Sequence, residues 1–135
     1  MLVYLGLGAN LGNREETINN AVKLLSELVG PLIKRSSFFY SKPLGFDSPN
    51  DFCNICAAFD TQLAPLDLLH TTQAIERTLG RTEKSQNGIY HDRTIDIDIL
   101  LYEGVQMNTP ELTIPHPEIK KRDFVTSPLK EILPS

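Results

Sequence analysis

The chain has 135 residues and a mass of 15.1 kDa, with 41% hydrophobic and 22% charged residues, which is the make-up of one ordinary globular domain. Thirteen Lys and Arg against seventeen Asp and Glu give a net charge of -4, which argues against a dedicated nucleic-acid binder or a polybasic membrane anchor. No apolar run reaches the ~18 residues that span a bilayer and the first residues lack the basic region of a signal peptide, so a cytoplasmic protein is expected.

In chain order, Val3, Leu5 and Leu7 alternate with Leu2, Tyr4 and Gly6, the pattern of a strand buried on both faces. Gly8-Ala-Asn-Leu-Gly12 then supplies turn chemistry, and Asn13 with Glu16 three residues on reads as a capping box. Ile18, Ala21, Val22, Leu25, Leu28 and Val29 recur at helical spacing, predicting an amphipathic helix over 14–29 that Gly30-Pro31 closes. A second strand is expected over 32–40, a loop over 41–51 and a third strand over 52–61. Pro65 suits the first turn of a second helix, with Leu68, Leu69, Thr72, Ile75 and Leu79 as its inner face up to Gly80. Residues 81–93 read as an irregular polar loop, 94–102 as a fourth strand, 111–114 as a short extended piece, and the remainder as a tail with one or two helical turns. The order strand, helix, strand, strand, helix, strand is the ferredoxin-like βαββαβ arrangement, an α+β fold with helices packed on a largely antiparallel sheet.

The strongest chemical feature is Arg93-Thr-Ile-Asp96-Ile-Asp98. On a strand, Asp96 and Asp98 project to one face and Ile95, Ile97 and Ile99 to the other, so two like charges converge. A divalent cation with a taste for oxygen resolves that repulsion, and Mg²⁺ commonly takes one or two carboxylates plus phosphate oxygens. An exposed strand that happens to carry two aspartates is the plainer alternative. Arg77, Arg81, Lys84, His91 and Arg93, then His116, Lys120, Lys121 and Arg122, add cations suited to a polyphosphate, although Arg77, Lys120 and Lys121 also read as a solvated face. Phe52 and Asn54 share a strand face, a flat π surface beside an amide, which suits a planar heterocycle with a urea-like edge; Phe52 and Phe124 also read as core aromatics. Cys53 and Cys56 form C-x-x-C, but residues three apart on a strand point in opposite directions, and one pair leaves zinc short of ligands. The glycines at 6, 8 and 12 fit neither a dinucleotide fingerprint nor a P-loop.

Taken in order, Gly8-Ala-Asn-Leu-Gly12, Tyr40 with Pro43 and Gly45, Asp51-Phe-Cys-Asn54, Gln73 with Glu76, Gly80-Arg81, Arg93-Thr-Ile-Asp-Ile-Asp98, Pro115-His116 and Arg122 with Phe124 resemble the 6-hydroxymethyl-7,8-dihydropterin pyrophosphokinase family over nearly the whole chain. The resemblance implies a folate-pathway enzyme that moves pyrophosphate from ATP, as co-substrate, to a pterin alcohol. It implies two Mg²⁺ ions on Asp96 and Asp98, a pterin between Phe52 and Phe124 with Asn54 at its polar edge, and further pterin contacts at Leu44 and Gly45. By the same similarity Gln73, Glu76, Arg81, Arg93, Thr113, His116 and Arg122 meet the nucleotide and its phosphates, with Arg81 and Arg93 in the catalytic set beside the two aspartates. A different Mg-ATP transferase acting on another small alcohol, and a non-enzymatic ferredoxin-like binding module, are the competing readings. Nothing in the apolar pattern asks for a partner, so a monomer is expected, acting on ATP and the pterin and binding neither nucleic acid nor membrane.

Overall fold

The computed structural model describes residues 1–10, 12–41, 51–80 and 95–134. Strand β1 (Leu2–Ala9) leads into helix α1 (Arg14–Leu28), followed by β2 (Leu32–Arg35), β3 (Phe39–Ser41) and β4 (Phe52–Asp60). Helix α2 (Pro65–Thr78), β5 (Asp96–Tyr102), the two-residue strands β6 (Met107–Asn108) and β7 (Thr113–Ile114), and helix α3 (Asp123–Ile132) complete the order. The main sheet runs β2-β4-β1-β5, with β3 also on β4 and every pairing antiparallel, as the ferredoxin-like reading requires.

Local signals account for the ends of these elements. Asn13 caps α1 by accepting the Glu16 N–H at 3.1 Å, and the Glu16 carboxylate accepts from the Asn13 side chain rather than from its backbone. Pro65 stands in the first turn of α2, where a missing N–H costs nothing. Gly30 has φ +151, and a Cβ there would lie 1.8 Å from the Asp60 carbonyl oxygen, so only glycine lets the chain pass.

Four boundaries differ from the sequence reading. The strand expected over 32–40 is two, because four residue steps from Arg35 to Phe39 face three from Ala57 to Asn54, leaving one extra residue on the outer side. Ser36 stitches the bulge by donating its N–H to the Cys56 carbonyl and accepting the Cys56 N–H on Oγ, while Ser37 donates to Glu131 of α3. Gly8 and Ala9, expected in a turn, are still strand, since β4 pairs them at Asn54 and Cys53. The extended piece at 111–114 reduces to β7, whose partner β6 was not foreseen, and the tail forms a ten-residue helix.

The sheet has unlike faces. On one, Val3, Leu5, Leu7, Ile55, Phe59 and Ile97 meet Ile18, Leu25, Leu68 and Ile75 of α1 and α2 in the main core. On the other, Tyr4, Cys56, Ala58 and Leu100 meet Leu129 and Ile132 of α3 in a smaller one. Cys53 and Cys56 are free thiols divided between these two cores, as strand alternation predicts. Alternation on β5 breaks at a register shift near Leu100 that returns Tyr102 to the main core.

Candidate active site

Two aligned rows run across the face that α3 half covers. Asn54, Gly8 and Asp96 are register partners on β4, β1 and β5, and Cys56, Gly6 and Asp98 form the next row. Adjacent strands lie about 4.8 Å apart, so Asn54 and Asp96 stand one strand spacing to either side of Gly8. That glycine is required: a Cβ on Gly8 would stand 2.9 Å from Asn54 Oδ1 and 3.5 Å from Phe52 Cδ1. The strand thereby provides a bare floor between an aromatic-amide pair and two aspartates. Asp96 and Asp98 are half-buried, with the intervening Ile97 in the core.

β5 is the edge of the sheet, so alternate backbone amides face away from β1 and need other partners. Glu76, buried on α2, accepts the Ile97 N–H at 2.8 Å and so ties the helix to the peptide between the two aspartates. Gln73, one turn earlier on α2, is exposed. Beyond this edge a cleft of about 270 Å³ is lined by Leu69, Asp98, Thr109, Leu112, Thr113 and His116 among others. The predicted residues Thr113 and His116 thus share one cleft with Asp98.

His116 is fixed at two points, its N–H donating to the Leu100 carbonyl and its Nδ1 accepting the Glu118 N–H at 3.1 Å. Burial holds its pKa below the usual histidine value and the Arg122 charge adds to this, against the opposing pull of Glu118 and Asp96. A neutral ring whose Nδ1 is an acceptor carries its proton on Nε2, a donor suited to an anionic ligand. Arg122 stands 5.7 Å from the Phe124 ring centroid and 3.9 Å from the Glu118 carboxylate, so the arginine and the aromatic are neighbours at the start of α3.

At the other end of the face, Arg14 donates to the Asp51 carbonyl at 2.7 Å and lies 5.3 Å over the Tyr40 ring. Tyr40 donates to Glu15 at 2.5 Å, which lowers the Glu15 pKa and pushes the Tyr40 hydroxyl up to about 12. These bonds hold the chain on both sides of positions 42–50. Leu44, Gly45, Arg81 and Arg93 lie outside the described residues, as do Pro43, Lys84 and His91.

The structure therefore brings together Phe52, Asn54, Asp96, Asp98, Thr113 and His116, places Arg122 and Phe124 at the head of α3, and gives Glu76 a bond to the strand between the aspartates. Sequence reasoning missed Leu69 and Thr109 of the cleft wall. Only the Thr109-Pro110 dipeptide signalled a turn, and nothing local revealed that this turn would fold back on β5. Among the described residues no group of three His, Cys, Asp or Glu side chains converges. The carboxylate pair instead fits a cation that completes its shell with ligand oxygens, as Mg²⁺ does with phosphates.

The model of the family described as 7,8-dihydro-6-hydroxymethylpterin-pyrophosphokinase matches residues 4–134. A 2-amino-4-hydroxy-6-hydroxymethyldihydropteridine pyrophosphokinase of Porphyromonas gingivalis is 49% identical over 134 residues, covering 98% of this chain and 91% of the relative. The protein of the same name from Bacillus subtilis is 39% identical, covering 97% of this chain and 77% of the relative. Among solved structures, one described as HPPK-DHPS in complex with substrates superimposes with a TM-score of 0.71 at 16% identity, spanning 98% of this chain and 40% of that longer one, a likeness of fold.

Proposed function

The chain belongs to the 7,8-dihydro-6-hydroxymethylpterin-pyrophosphokinase family, and from that premise we propose that it transfers pyrophosphate from ATP to the hydroxymethyl group of 6-hydroxymethyl-7,8-dihydropterin, giving AMP and the pterin diphosphate. It is a pyrophosphokinase of folate biosynthesis. The observation that supports the finer reading is the row Asn54-Gly8-Asp96, in which an amide with Phe52 beside it and a carboxylate pair stand to either side of one glycine on the same sheet face.

The pterin ring lies between Phe52 and Phe124, with its polar edge on Asn54 and its hydroxymethyl group toward β5; Leu44 and Gly45 are assigned to the same ring. The nucleotide takes the cleft of Thr113 and His116, where His116 Nε2–H, Arg122, Arg81 and Arg93 meet phosphate oxygens and Gln73 flanks them from α2. Asp96 and Asp98 would hold Mg²⁺, two ions by family likeness, which when bound offsets phosphate charge and orients the reacting oxygens. The hydroxymethyl oxygen forms a bond to the β-phosphorus as the bond from that phosphorus to the oxygen bridging the α-phosphate breaks. AMP leaves with that oxygen, and the hydroxyl proton passes to solvent. No covalent enzyme intermediate is needed, so the protein acts by positioning and by charge. Glu76 serves this by fixing the backbone between the aspartates. The enzyme works as a monomer.

The test is to incubate the protein with Mg-ATP and the pterin alcohol and identify the nucleotide product by chromatography. Pterin-dependent AMP is expected. ADP would instead mark a simple kinase, and the absence of any pterin-dependent product would overturn the reading.

A further inference from the structure

Arg14 opens α1, at the end of a helix where a cation is disfavoured because the first backbone N–H groups already carry partial positive charge. Glu15 and Glu16, which follow it, obey that rule. A residue that works against its own helix points to a contact elsewhere. Here the half-buried guanidinium donates to the Asp51 carbonyl at 2.7 Å and lies 5.3 Å over the Tyr40 ring. Tyr40 donates in turn to Glu15, so the ring beneath Arg14 is tied to the same helical turn. The Asp51 carbonyl and the Phe52 N–H belong to one peptide group. Phe52 faces Ser41 in the last described pair of β3 and β4, beside the Tyr40–Cys53 pair, and its ring borders Gly8, where a Cβ would come 3.5 Å from Cδ1. Arg14 therefore grips both strands at the end where Phe52 stands, β4 through the peptide before the aromatic and β3 through Tyr40.

We propose that Arg14 is a positioning residue for the pterin: by bracing the Asp51–Phe52 peptide against α1 and Tyr40 it holds the Phe52 ring ready to stack on the heterocycle. The ends of paired strands open more readily than their middles, and a ring that moves with a fraying end must be ordered when the ligand binds. The brace supplies that order beforehand. Arg14 acts through Phe52 and not on the phosphates.

This rests on the pterin reading above, which gives Phe52 its ligand. The test compares the parent with Arg14→Ala, Arg14→Lys, Tyr40→Phe, Phe52→Ala and the double variant Arg14→Ala/Phe52→Ala. The readouts are fluorescence titration with the pterin alcohol, KM for both substrates, kcat, the unfolding midpoint, and the backbone amide NMR signal of Phe52 without ligand. Arg14→Ala is expected to raise the Kd and KM for the pterin about five- to tenfold, the worth of one charge-assisted hydrogen bond, with kcat and the KM for ATP little changed. Its unfolding midpoint stays near the parent's, because relief at the helix start and the helix preference of alanine offset the lost bond. The Phe52 amide signal shifts and broadens. Tyr40→Phe keeps the ring under Arg14 and loses about twofold at most. Arg14→Lys keeps the charge without the planar fork and recovers only part of the affinity. In the Phe52→Ala background, Arg14→Ala adds no further loss. Unchanged pterin affinity in Arg14→Ala, full recovery in Arg14→Lys, or a loss that persists without Phe52 overturns the inference. A parent that binds no pterin alcohol overturns the pterin reading itself; a Phe52 signal that still depends on Arg14 in that protein upholds the brace.

Discussion

The two faces of the sheet are made from the same strands and differ in what covers them. The face under α1 and α2 is closed by large apolar side chains, with Leu5, Ile18, Leu25, Ile55 and Phe59 almost wholly buried. Among the described residues, the face under α3 is closed where Tyr4, Cys56, Ala58 and Leu100 meet Leu129 and Ile132. Its other half is floored by Gly8 and edged by Phe52, Asn54, Asp96 and Asp98. The larger core thus lies on one side and the proposed site on the other, and β1 serves both through alternate residues: Leu5 and Leu7 pack inward, while outward Gly6 lies under Leu100 and Gly8 leaves room beside Asn54.

That division can be broken most severely from the packed side. Phe59→Ala removes a fully buried ring from the main core and is expected to cost about 3–5 kcal/mol of unfolding free energy by denaturant titration. A loss below about 1 kcal/mol would show that the closed face is not where stability resides.

The open face answers differently. Gly8→Ala drives a methyl group against Asn54 Oδ1, and the expected result is about a tenfold, roughly 1.4 kcal/mol, weaker pterin affinity in a fluorescence titration with little movement of Tm. An equal loss of stability and affinity would mean that the glycine serves packing rather than the ligand. Asn13→Ala removes the α1 cap and should cost about 1 kcal/mol of unfolding free energy. The smallest effect is an expected lack of reaction. Burial pushes the Cys56 thiol up to about 12 and raises that of Cys53, so at pH 8 the native protein should leave both unmodified by a thiol reagent, while denaturant exposes both. Rapid modification of native Cys56 would show that α3 does not stay on its face.

Much of this division was legible in the sequence because it depends on period. The alternation in β1 and β5 placed Asp96 and Asp98 on one side and their isoleucines on the other, and the spacing of Ile18, Val22 and Leu25 put α1 on the core. Long-range pairing was less legible. The bulge that divides β2 from β3 depends on Ser36 and Ser37 reaching Cys56 and Glu131, distant in the chain, and Gly8 looked like a turn residue until β4 paired with it. The cleft wall from Thr109 to Pro117 carries no periodic pattern, since its place is set by β6 pairing with β7 and by His116 bonding to Leu100.

The most direct test is the AMP released by Asp96→Asn from Mg-ATP and the pterin alcohol, measured on protein whose pterin affinity and unfolding midpoint match the parent. With the carboxylate removed and the amide row intact, turnover should fall by about a thousandfold or more while pterin binding persists, a loss of about 4 kcal/mol of transition-state stabilisation. Undiminished AMP release from such a protein would contradict the assignment of catalysis to the open face.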